Sequence, residues 1–402
     1  MERDSPARPA QQHEHNLALI MRLVARTGAV SRAKLAHDSG LTKSTVTQLT
    51  GELVGGGLLR EIGTGPARGP GRPANLLVLD SLGPVGIGLQ VGVDHVAGYL
   101  TDLTGKIRDR ALRRADDLRG DPLRVIKAAE PVLRRLINAA NSTDNVVAGV
   151  AVGLPGRVRD ATVVRSTVLG WSETNLPWLL GDRLDALGAG SIPVTVHNSH
   201  HLAAHAEQWF TGDNAEILVY VGGEPVLGAG ILAGGQVRGG ARGAAGELAH
   251  VRVSFGDLPC ACGGVGCLDT VAGQQALSRA SGVDMPSRSR LVGGDGPLPA
   301  LLESGERRAV AAARRAAEGL GEVLGGLVPA LDPDVIVLGG HFATLGAPFL
   351  ERVRGELAQQ CPELGADMRI RPSRLPPDVV ARAAATTVTQ HLIEDPAVRL
   401  AE

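Results

Sequence analysis

Aromatic residues are scarce: four Phe, three Trp and two Tyr in 402 residues. A core with so few rings must be filled by aliphatic side chains, and 54 glycines imply tight turns and close backbone approaches. Cysteines number only four, too few for a small disulfide-stapled scaffold. No apolar run reaches the ~18 residues of a membrane helix, so no membrane partner is expected. The first residues, "MERDSPARPAQQHEHN", lack the apolar segment of a signal peptide. The cytoplasm is the expected compartment. Disulfides are rare there, so clustered cysteines point to metal or redox chemistry.

Neither sign of charge dominates, and the net charge is −1. The distribution is uneven. Residues 14–79 carry eight basic side chains (Arg22, Arg26, Arg32, Lys34, Lys43, Arg60, Arg68, Arg72) against four acidic ones (Glu14, Asp38, Glu52, Glu61), which is +4 and leaves −5 for the rest. A small basic segment on an acidic body suggests a nucleic-acid contact.

That segment reads as three short helices over 15–59 followed by a hairpin. Leu17, Ile20, Met21 and Val24 fall on one stripe, stopped by Gly28. Ser31 is an N-cap for a second helix ending at Gly40, and Thr42 an N-cap for a third. In the third, Val46, Leu49 and Leu53 face inward, leaving Lys43, Ser44, Thr45, Thr47 and Gln48 outward. Two short helices round a tight "DSGLT" turn make a helix-turn-helix. "LLREIG" and "ANLLVLD" read as wing strands joined by the basic tip "TGPARGPGRP". Residues 1–81 are therefore expected to be a winged helix-turn-helix binding double-stranded operator DNA. Lys43, Ser44, Thr45 and Gln48 would meet base edges, and Arg68 and Arg72 the backbone or minor groove.

Residues 85–400 alternate strands and helices. Two α/β halves, each opening with strand–turn–strand, predict a duplicated fold with a cleft between two lobes. The first lobe is placed at 82–196, completed by a C-terminal helix near 377–395, and the second at 197–376. Three of the four cysteines lie in "CACGGVGCLDT". His250, ten residues before Cys260, completes a set of three thiols and one imidazole with Cys260, Cys262 and Cys267. The spacing fits a closed, structural Zn2+ site. Cys361, in an apolar helix, is expected to be merely buried.

"GAAGELAHVRVSFGDLPCACGGVGCLD" resembles the signature of the ROK family (repressors, open reading frames, sugar kinases). "AVGLPGRV", "VLGW", "HNSHHLAAHAE" and "DVIVLGG" resemble further family segments in the expected order. The resemblance implies a two-lobed, actin-like sugar-kinase fold, and the N-terminal head resembles the family's repressor branch. Its kinases need an Asp-led glycine turn, a Gly-Thr-Gly phosphate loop and a catalytic Asp. Here Gln90 stands at the first, Glu224 and Pro225 interrupt the second, and Ser199 occupies the third. Serine is no base near neutral pH without a partner. Adjacent His200 is expected to face solvent or cap a helix, so no kinase activity is expected.

The same resemblance implies a sugar shell. Asn198, Glu247 and His250 match it, whereas Ser199, Asp269 and Val168 replace an Asp, a Glu and an Asn. The expected function is a DNA-binding repressor, homodimeric or homotetrameric, controlled by a sugar or sugar-derived effector. The alternatives are a sugar kinase with a fused DNA-binding head and an effector-independent DNA-binding protein.

Overall fold

The computed structural model describes residues 9–64, 75–223, 226–283 and 297–400. Arg68 and Arg72 of the wing tip, and Glu224 and Pro225 of the second glycine loop, lie outside the described residues. The head consists of α1 (Pro9–Thr27), β1 (Val30–Ser31), α2 (Arg32–Ser39), α3 (Lys43–Gly55), β2 (Leu59–Thr64) and β3 (Asn75–Leu79). The caps act as the sequence indicates. Ser31 Oγ accepts from Lys34 N–H, Thr42 Oγ1 accepts from Thr45 N–H, and Gly40 closes α2 at φ +72°.

Two features of the head depart from the sequence reading. α1 starts at Pro9 rather than His15. Its extra residues carry no apolar stripe; side-chain bonds hold them instead, Gln12 to Asn16 at 3.1 Å and His13 to Glu52 at 2.8 Å. The wing hairpin pairs Leu59 with Leu79 as expected, and a two-residue strand, β1, adds to it through Val30 opposite Leu77. So short a strand has no periodicity to read.

The body holds two five-stranded sheets. The first is built from β4 (Val85–Val91), β5 (His95–Asp102), β6 (Ile107–Arg114), β7 (Val147–Leu154) and β11 (Val194–Asn198), in the order β11-β7-β4-β5-β6. A small meander of β8 (Arg157–Arg159), β9 (Thr162–Ser166) and β10 (Trp171–Asn175) is inserted before β11. The second sheet runs β14-β13-β12-β15-β16, from β12 (Ile217–Gly222), β13 (Gly228–Ala233), β14 (Gln236–Val237), β15 (Val335–Gly339) and β16 (Ile370–Pro372). In each sheet three strands form an antiparallel meander and two more add in parallel. The same topology occurs twice, so the duplication read from the sequence holds.

Helices α4 (Pro122–Asn141) and α5 (Leu176–Ala186) cover the first sheet. α6 (Ser199–Thr211) follows β11 directly. Helices α7 (Asp269–Ala272), α8 (Gln274–Ser281), α9 (Leu298–Glu303), α10 (Arg307–Leu331), α11 (Gly346–Gln360) and α12 (Pro362–Gly365) belong to the second half. The chain then returns, and α13 (Val379–Glu394) lies across β4, β5 and β7 before the short α14 (Ala397–Leu400). Leu392 and Ile393 of α13 are buried in one core with Leu17, Ile20 and Leu53 of the head. Cys361 is not within a helix as expected. It sits at the junction of α11 and α12, half-buried against the second core, because Pro362 ends the helical run there.

Candidate functional site

Three thiols and an imidazole converge in the segment after β14. Their ligand atoms all lie within 4.8 Å of one another. Cys260 Sγ is 3.6 Å from His250 Nδ1, and Cys262 Sγ is 3.6 Å from Cys267 Sγ. A tetrahedral shell with Zn–S of ~2.3 Å has edges of ~3.8 Å, so the donor set and its spacing fit a metal ion. The backbone is bent to make this possible. Gly263 and Gly266 adopt φ +94° and +77°, and a β-carbon on Gly266 would meet the Gly256 carbonyl oxygen at 2.4 Å. Single bridges pair Arg252 with Cys267 and Pro259 with Val265, closing the loop on the thiols. Burial, then its thiol neighbours, pushes Cys267 up to about 12.

His250 joins this cluster to a cavity of about 230 Å³. The cavity is also lined by Asn198, Glu247, Val168, Arg157 and Arg165. That volume lies just below the ~300 Å³ at which drug-sized pockets begin, and a monosaccharide is the appropriate scale. Burial raises the Glu247 carboxyl above its ordinary range, against the pull of His250 and Arg157.

Of the five residues expected round an effector, three line this cavity. Asn198 is already engaged: its Oδ1 accepts from His200 N–H at 2.7 Å as the N-cap of α6, and its Nδ2 donates to the Gly156 carbonyl at 2.7 Å. Ser199 instead lines a neighbouring cavity of about 80 Å³ together with Gln90, and its buried hydroxyl has no hydrogen-bond partner. Gln90 Nε2 donates to the Pro377 carbonyl at 3.3 Å. Asp269 is not in the cavity wall. It takes the Leu227 N–H, and burial raises its pKa.

His200 neither faces solvent nor caps a helix. It is buried, with its ring in a slot where a β-carbon on Gly222 or Gly228 would come within 2.8 Å. Those two glycines are partners across β12 and β13, and the missing side chains make room for the ring. Burial, with His201 nearby, lowers its pKa to about 4. Arg157 and Arg165 were not singled out from the sequence, although Arg157 lies within the quoted "AVGLPGRV" segment.

On the head, Lys43, Ser44, Thr47 and Gln48 are exposed along the first turns of α3, and Thr45 is half-buried. Thr42 Oγ1 bonds Ser44 Oγ at 2.9 Å and Thr45 Oγ1 at 2.8 Å. Gln48 Nε2 donates to Glu52 Oε1 at 3.0 Å.

The ROK family matches residues 86–373. The chain belongs to the ROK family. A putative xylose repressor from Caldicellulosiruptor sp. (strain Rt8B.4) is 31% identical over 354 residues, covering 84% of this chain and 86% of the relative. A solved ROK family transcriptional regulator, described as a homolog of the E. coli MLC protein, superposes with a TM-score of 0.78 at 22% identity, covering 97% of this chain and 99% of that one. A ROK hexokinase from Thermus thermophilus superposes with a TM-score of 0.60 at 24% identity, covering 77% of this chain and 99% of the hexokinase. At these identities both structures show the shared ROK fold, and the expected two-lobed architecture is the observed one. No helix among the described residues is long and apolar enough to cross a membrane.

Proposed function

We propose that this ROK protein is a DNA-binding transcriptional repressor whose grip on operator DNA responds to a sugar or sugar-derived effector, and that it does not phosphorylate sugars. The observation that carries the reading is the joining of a winged head to the lobes through one core. Leu392 and Ile393 of α13 lie in the head's core, while Val379 and Val380 of the same helix line the cavity holding Gln90 and Ser199. A change in lobe closure therefore has a mechanical route to the DNA-binding face. The likeness to a repressor over 84% of the chain supports it.

The absence of a carboxylate at 199 supports the non-enzymatic part, because the sugar hydroxyl's proton then has no acceptor there. In this reading residues 1–81 bind DNA, 82–196 with 377–395 form one lobe, and 197–376 form the other. His250, Cys260, Cys262 and Cys267 hold a structural Zn2+, which would fix the loop bearing Glu247 and orient His250. The protein acts as a homodimer or homotetramer on an inverted-repeat operator.

A genome-wide DNA-binding map tests the regulatory half. Discrete inverted-repeat peaks are expected, and uniform occupancy would refute it. Coupled ADP release with a hexose panel tests the other half. Background rates are expected in the native chain and in Ser199→Asp, since Gln90 remains at the glycine turn. Hexose-dependent turnover well above background would assign a kinase instead.

A further inference from the structure

Arg157 and Arg165 stand directly opposite each other on the antiparallel pair β8–β9, and both line the 230 Å³ cavity. Residues facing each other across such a pair bring their β-carbons to ~4.5–5.5 Å, where like charges repel. Among the described residues, neither guanidinium forms an ion pair. Arg157 Nε is buried without a hydrogen-bond partner, and its terminal nitrogen reaches only the Arg242 carbonyl, at 3.2 Å. Arg165 is exposed at the rim. Among the described residues of the cavity wall the one carboxyl is that of Glu247, which interacts with Arg157 and His250 together.

Two cations face to face, with a buried N–H unspent, form a wall that an anion would complete. Guanidinium groups present forked donors that suit phosphate and carboxylate oxygens. Val168, also in the cavity lining, offers no hydrogen bond to a hydroxyl. The cavity lining thus combines the guanidinium groups of Arg157 and Arg165 with Glu247 and His250, which can hydrogen-bond hydroxyls.

We propose that the effector is a sugar carrying an acidic group, phosphate or carboxylate, held between Arg157 and Arg165 with its hydroxyls toward Glu247 and His250. This rests on the effector reading above and adds the chemical class of the ligand.

Calorimetric titration of the full chain at constant ionic strength tests it. The probes are inorganic phosphate, glucose, xylose, glucose 6-phosphate, xylose 5-phosphate and glucuronate. At least one acidic sugar is expected to bind about tenfold or more tighter than its neutral parent, with inorganic phosphate competing. Arg165→Gln is expected to remove that advantage while leaving the neutral parent within about twofold. Because Arg165 is exposed, this variant should fold; a native melting temperature confirms it. Preference for the phosphorylated sugar over glucuronate, or the reverse, identifies which acid the pair takes. A neutral sugar bound as tightly as its acidic derivative, or an acid preference that survives Arg165→Gln, overturns the proposal but leaves the effector reading. Phosphate bound through Arg165, with no sugar taken up, overturns the effector reading and reduces the pair to an anion site. No binding by any probe overturns both.

Discussion

A β-carbon added at Gly88 would stand 2.1 Å from the Ala381 carbonyl oxygen, so β4 and α13 meet backbone to backbone. Gly86 makes a similar approach, at 2.4 Å from the Ala385 carbonyl oxygen. Alanines at 381, 384 and 385 complete the contact from the helix side. The 16-residue helix, ~24 Å long, is thereby seated on the sheet as a rigid strut. One of its ends borders the Ser199 cavity and the other enters the head's core.

Gly88→Ala should therefore cost about 1–3 kcal/mol, since the added methyl group can only be accommodated by moving backbone. A lower urea midpoint measures the loss. The variant should also weaken any effect of an effector on DNA affinity, because the strut would be displaced from the strand it rests on. A native midpoint in Gly88→Ala would show that helix and strand separate freely, and the strut would then carry no signal.

The metal cluster predicts one zinc ion per chain in elemental analysis of purified protein. Chelation should lower the melting temperature, because the ion would cross-link His250 to three thiols of one loop and its binding energy adds to that of folding. Cys262 is exposed, whereas Cys267 is buried. Cys262→Ser should thus remove the metal with the smaller direct loss of packing. Substoichiometric zinc together with a melting temperature indifferent to chelation would refute the site.

Much of this was legible in the sequence, for identifiable reasons. The ligand spacing is local, so His250, Cys260, Cys262 and Cys267 could be assembled without knowing the fold. The helices of the head announce themselves through Ser31, Gly40 and Thr42, which act over single turns. The duplicated sheet follows from the order of strands and helices. What escaped depends on distant partners. The burial of His200 is set by glycines at 222 and 228 on other strands. The facing of Arg157 and Arg165 is set by a strand register that no periodicity reveals. Asn198 matched its family position but spends its amide on a helix cap and a carbonyl, a role only the three-dimensional arrangement exposes.

Histidines near the start of α6 predict a pH dependence of stability. Burial holds His200 at about 4, and burial with the nearby His197 and His201 holds His205 at about 4. In the unfolded chain both would titrate near ~6.5. Between these values the unfolded state binds more protons, so this stabilisation is complete above ~6.5 and is lost as pH falls toward ~4. The melting temperature should fall through that window. His205 stacks on Trp209 at 4.5 Å between centroids, so His205→Phe keeps a ring there and should flatten the slope by up to about one proton. An unchanged slope would mean that His205 titrates normally in the folded chain.

DNA recognition gives the last prediction. On α3, Ser44 and Thr45 share their hydroxyls with Thr42, which leaves Lys43 and Gln48 as the side chains freest to reach a base or phosphate. Gln48 Nε2 spends one of its two N–H groups on Glu52, which is also held by His13 at 2.8 Å, and keeps the other N–H and its carbonyl oxygen for a base. If Gln48 then pairs with an adenine, Gln48→Ala should cost ~1–3 kcal/mol on the operator and little on scrambled DNA. If α3 enters a major groove, Glu52→Gln removes a negative charge from the helix that meets the DNA and should strengthen binding to both duplexes alike. Arg72→Ala, in the segment expected to form the wing tip, should weaken both and lower the salt slope by about one ion. Titrations of the three variants at several salt concentrations separate these roles. Equal losses for Gln48→Ala on both duplexes would remove it from base reading. An unchanged salt slope for Arg72→Ala would remove the wing from the DNA.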